Sequence, residues 1–240
     1  NWDDKRLNNS IVGALIQERK VQGLTFGGQG DTVDGLNGQW AWNAFASVAK
    51  LDLPSGSDAK AVDDQSARTQ GQFAKLNASA SRTAYFRGAP GWSVYTGVNA
   101  QWSSRNLDGS EKFQLGGPTG VRAYPVGEGL GDQGWVGTAE VRYAHQLSTD
   151  WHSTWSLFYD VGGLLQYRAP WQHALAEGRP NQYTLSGYGV GLQLNYRQQA
   201  QFKLIYAEKS GVNPNQTPAK TDSDGRNRSG RLWVIGTISF

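Results

Sequence analysis

Alternation of apolar and polar side chains at every second residue recurs along nearly the whole chain, in about nine segments. A period of two places successive side chains on opposite faces of an extended strand, so each segment has one oily and one wettable face. In residues 92–102, Trp92, Val94, Val98, Ala100 and Trp102 oppose Ser93, Tyr95, Asn99 and Gln101. Residues 73–86 set Ala74, Leu76, Ala78 and Ala80 against Lys75, Asn77, Ser79 and Ser81. The same rule runs through residues 21–33, 40–53, 135–145, 155–167, 183–197, 201–208 and 231–240. Many of these are near the roughly 9–11 residues that a tilted membrane-crossing strand requires.

Short turns at 87–91, 147–151 and 197–200 alternate with longer polar loops at 54–72, 103–134, 168–182 and 209–229. That asymmetry, with tryptophans and tyrosines near strand ends, predicts an all-β, antiparallel transmembrane β-barrel in contact with outer-membrane lipid. A soluble β-sandwich also alternates, but seldom keeps one polar face on this many long strands. Residues 1–7 read as the tail of a strand, residues 8–19 as a short helix or a loop, and residues 54–70 as a solvated loop.

Composition agrees with a wall wetted on one side. Apolar residues make up 38% of the chain, below the roughly 45–50% of soluble domains, while aromatics reach 12% and exclude a disordered chain. The 23 basic residues are dispersed among 20 acidic ones, so no nucleic-acid partner is implied. With no cysteine there is no disulfide framework or thiolate metal site, and no apolar run approaches the roughly 20 residues of a spanning helix. The chain starts at Asn1 rather than methionine and is read as beginning inside a longer protein, truncated at the N-terminus of its barrel domain.

No catalytic constellation stands out. His145, His152 and His173 lack zinc-site spacing, no G-x-S-x-G elbow occurs, and the Gly127-x-Gly129-x-Gly131 run opens no helix, so neither an enzyme nor a cofactor is expected. The segment 111–143 is different. It carries a glycine-rich loop able to fold back on itself, with Arg122 set between Val121 and the Ala123–Tyr124 pair.

This segment resembles the inward-folded loop of two-partner secretion transporters, the TpsB-type haemolysin secretion/activation family. There the pattern is F-x-L-G-G, then V-R-G-Y or V-R-G-F, then G-D-x-G, then a strand ending E-x-R. Here Phe113, Leu115, Gly116 and Gly117 are followed by Val121, Arg122, Ala123 and Tyr124, then Gly131, Asp132 and Gly134, then Glu140 and Arg142. Ala123 stands where glycine is usual. The resemblance implies a pore exporting a large secreted exoprotein, of haemolysin or adhesin type, in extended form and without nucleotide hydrolysis. It implies that the chain supplies the last nine or ten strands of a 16-stranded barrel that follows a plug helix and two POTRA domains. It also implies that Arg122 meets the aspartate of an F-x-D tripeptide, matched by Phe158 and Asp160, with Glu140 and Arg142 on the lumen side of the next strand. Phe240, a terminal aromatic, resembles the signal by which barrel-assembly machinery recognises such proteins. An assembly factor of the same superfamily, an outer-membrane protease or lipase, and a small passive ten-stranded barrel are the other readings.

Overall fold

The computed structural model describes residues 2–11 and 14–239, with backbone alone for residues 6–11 and 14–18. Phe240 lies outside the described residues, and so does its expected role as insertion signal. Ten strands form one antiparallel sheet. They are β1 (Trp2–Ile11), β2 (Ala14–Val33), β3 (Gly38–Asp52), β4 (Gly71–Tyr85), β5 (Trp92–Ser103), β8 (Gln133–Gln146), β9 (Trp151–Leu165), β10 (Gln182–Tyr196), β11 (Ala200–Lys209) and β12 (Gly230–Ile238). Two short strands, β6 (Phe113–Gln114) and β7 (Leu130–Gly131), pair with each other inside the loop between β5 and β8. Strands pair in chain order, and β5 pairs with β8 across that loop. Among the described residues β1 and β12 are the two edges, with no pairing between them.

Residues 8–19 are neither helix nor loop in their described part. They belong to β1 and β2, paired with a register shift between Asn9 and Ser10. A bulge of that kind breaks strict alternation, which is the signal a strand is read from. Residues 54–70 are not wholly irregular either. Helix α1 (Asp58–Gln65) starts at Ser57, whose side chain accepts from the Lys60 amide. Asp63 closes the helix by accepting from the Thr69 and Gln70 amides.

The two faces of the sheet differ. Leu157 is 63% exposed, and Trp42, Trp92, Trp135, Val141, Leu204 and Val234 are exposed on the same outward side, while Leu192 is partly exposed. These side chains do not meet in a shared core, which excludes the sandwich. At the short-turn end, Trp92 contacts Tyr143 and Trp151 contacts Tyr196, each pair with ring centroids 5.0 Å apart. Aromatic rings of this kind sit where lipid meets water.

The buried apolar cluster lies on the other face, where the β5–β8 loop packs against the wall. Leu115, Val121, Ala123 and Tyr124 of the loop meet Phe158, Leu164, Leu185, Ile205 and Ala207 of β9, β10 and β11. A smaller cluster joins Val21, Leu51, Phe73 and Leu107.

Candidate functional site: an arginine-pinned loop on the inner face

The loop holds itself together before it meets the wall. The amides of Leu115 and Gly116 donate to the carbonyls of Gly129 and Glu128, and the Val121 amide donates to Leu115. Gly117 has φ of +116°, a conformation other residues rarely adopt. A Cβ at Gly116 would lie 2.5 Å from the Pro125 carbonyl oxygen. Gly131 and Gly134 are pressed in the same way against the Leu165 carbonyl and the Phe113 ring. The fold thereby presents residues 121–124 to the strands.

Arg122 is the centre of the contact. Its Nε donates to Asp160 Oδ2 at 2.8 Å and its Nη2 to Asp160 Oδ1 at 2.8 Å. Its own backbone amide reaches Asp160 Oδ2 at 3.1 Å. Nη1 lies 2.7 Å from Glu140 Oε1, and Nη2 donates to Thr138 Oγ1 at 3.2 Å. The guanidinium lies over the Phe158 ring, 3.4 Å from its centroid. A planar fork with several fixed donors matches two carboxylates and an aromatic face together, which the point charge of a lysine cannot do.

Register explains the arrangement. Thr138 faces Asp160 across β8 and β9, and Glu140 faces Phe158. Directly opposed residues on one face are within reach of each other, and the Thr138 hydroxyl donates to Asp160. Glu140 also accepts from Arg142 Nε at 2.6 Å, and Arg142 lies over the Tyr95 ring at 4.0 Å. Asp160, Arg122, Glu140 and Arg142 therefore form a chain of alternating charge with no net excess.

On its other side Asp160 faces Gly187 of β10. A Cβ at Gly187 would lie 2.5 Å from that of Ala123. The missing side chain leaves the space that Ala123 fills. Tyr124 is fully buried, and burial, with Asp222 and Glu128 nearby, pushes its phenol up.

Thr138 and Trp233 join this site beyond the residues singled out from sequence. Trp233 Nε1 donates to the Arg122 carbonyl at 2.8 Å. Its signal was available, since it is an aromatic on the otherwise inward face of the last strand. Among the described residues no group of three or more His, Asp or Glu side chains is placed to hold a metal ion.

A sheet with a lipid-facing side and a polar side, the latter carrying a glycine-rich loop pinned by one arginine, defines the wall of an outer-membrane transport protein. The chain belongs to the haemolysin secretion/activation protein family ShlB/FhaC/HecB, which matches residues 16–194. Over 182 residues it is 26% identical to the heme/hemopexin transporter protein HuxB of Haemophilus influenzae (strain Rd), covering 75% of this chain and 31% of that protein. A second Haemophilus influenzae HuxB is 31% identical over 99 residues, which is 41% of this chain and 17% of that protein. CdiB from Escherichia coli shares the fold with a TM-score of 0.67 at 17% identity, over 96% of this chain and 40% of that one. The chain spans about a third or less of the length of these curated relatives. Its family is one of outer-membrane transporters, not of enzymes.

Proposed function

We propose that this chain forms part of an outer-membrane pore that exports a large exoprotein of haemolysin or adhesin type. Its ten strands are then a portion of a closed 16-stranded barrel, whose remaining strands flank β1 and β12. The family membership and the likeness to 40% of the CdiB chain support this reading. So do the two edges left unpaired among the described residues, since an open edge invites further pairing.

The observation that carries it is the fork of Arg122 on Asp160, which holds the loop against the inner face. Loop and wall then form a two-position element. With the pair made, the loop occupies the lumen; with it broken, the loop is free to move and cargo to pass. The loop must give up conformational freedom to enter the lumen, and the charge-assisted contact offsets that cost. Arg122→Ala and Asp160→Ala in the full-length transporter should each cut export while leaving the barrel inserted. The double variant should be no worse than the more damaging single one, because both remove the same contact. Normal export by both single variants, or additive defects in the double, would rule the pair out as the working element.

A further inference from the structure

Beyond Arg122, the loop has a second charged hold, on a neighbouring loop rather than on the strands. Glu128 is 1% exposed, and both its oxygens accept from the loop between β11 and β12. Asn213 Nδ2 donates to Oε1 at 2.8 Å, and the Ser223 amide donates to Oε2 at 2.7 Å. The same Asn213 amide group lies 3.2 Å from Asp222 Oδ1, and Lys209 Nζ lies 2.5 Å from Asp222 Oδ2. Asn213 and Asp222 are themselves buried. The Lys209 ammonium also stands 5.2 Å from the ring centroid of Tyr124, two residues after Arg122 in the chain.

We propose that Glu128 is a positioning residue that couples the two loops, so that the β5–β8 loop leaves the inner face together with residues 210–229. This rests on the reading of the chain as part of an export pore. Pulling the loops apart would strand a buried carboxylate without its donors, which is costly. Moving them jointly keeps those bonds, while breaking the Arg122 contacts with the wall and the pairs of Asp222 with Lys209 and Arg231. The joint motion is the one that leaves Glu128 with its donors. Polar residues 210–229 then act as the outer half of the gate, not as a passive connection.

The test uses the full-length transporter in lipid bilayers, with amide exchange followed in both loops. Arg122→Ala should raise exchange in residues 113–131 and in residues 210–229. A rise confined to 113–131 would overturn the coupling. Glu128→Gln should change the open-to-closed ratio of single channels by about tenfold or more, the effect of losing one hydrogen bond to a charged group. Asn213→Ala removes a donor from the other loop and should act in the same direction, and the double variant should add little. Wild-type opening in both single variants, with the barrel folded, would also overturn it. Export is not the readout here, so absence of exoprotein export by the wild-type full-length transporter would sink the pore reading separately from the coupling.

Discussion

Asp160 is fully buried, and each of its carboxylate oxygens accepts from the Arg122 guanidinium at 2.8 Å. Removing one partner of a buried pair costs about 3–5 kcal/mol, because the other charge is left uncompensated. Water in a lumen lowers that figure toward the about 0–1 kcal/mol of exposed pairs. Even a small shift is enough to redistribute a loop between two positions.

Arg122→Lys separates charge from geometry. Lysine keeps the positive charge but cannot bridge both oxygens of Asp160 and also reach Glu140. Export should fall to a level between wild type and Arg122→Ala, with the amount of inserted barrel unchanged. Wild-type export by the lysine variant would show that charge alone holds the loop.

The close approach at Gly187 gives a prediction of shape. Gly187→Ala should crowd Ala123 and loosen the loop by about 1–3 kcal/mol, the usual cost of overpacking. Ala123→Gly, which restores the glycine usual in the family, should be tolerated. Combining the two should relieve the clash. Protease cleavage within residues 113–131 reports the docking, and a double variant no better protected than Gly187→Ala would refute the contact.

The wall was legible because its chemistry is local. Trp92, Val98 and Trp102 on β5, or Leu157 and Tyr159 on β9, declare their face by alternation alone, since a strand fixes side-chain direction. Residues 8–19 were not legible, because the shift near Asn9 interrupts that rule. Helix α1 was hidden in a polar stretch whose buried end is made by Asp63 with Thr69, a contact visible only once the chain turns back. The resemblance drew attention to Arg122 and Asp160. Glu128, Asn213 and Asp222 carried no such flag, because their partners lie 85 and 9 residues apart and polar loops look alike in sequence. Gly187 stands in a run of alternate glycines on β10, and its meaning depends on what fills the space.

The turn between β2 and β3 gives a pH dependence. Asp34 Oδ2 accepts from Arg82 Nε at 2.7 Å, and Oδ1 accepts from the Gly38 and Leu36 amides at 2.8 and 2.9 Å. The hydrogen bond from Arg82, aided by these amides and Trp40, holds the Asp34 carboxyl well below the usual carboxylate range. A group whose pKa is lowered by folding stabilises the protein above its unfolded value of about 3.9, and loses that effect as pH falls through the folded value. Asp34→Asn should therefore lower the melting temperature at neutral pH, and the gap from wild type should shrink as pH drops below about 4. Added salt should also narrow it, because the pair is only partly buried. A gap that persists unchanged in acid would exclude the ionised contact.

Trp233 tests the hold on Arg122 from the last strand. Its indole N–H donates to the Arg122 carbonyl at 2.8 Å, while its ring packs beside the buried cluster. Trp233→Phe keeps much of the ring but leaves that carbonyl without this donor. One neutral hydrogen bond contributes about 0.5–1.5 kcal/mol net, so docking of the loop should weaken by about two- to tenfold. The effect should be smaller than that of Arg122→Ala, where a charged contact is lost. It should also be less than additive with Arg122→Ala, because the two contacts position the same residue. Protease cleavage of residues 113–131 in the folded barrel measures both. Full additivity would mean that Trp233 stabilises β12 alone, and equal protection in wild type and Trp233→Phe would mean that the indole bond does not hold the loop.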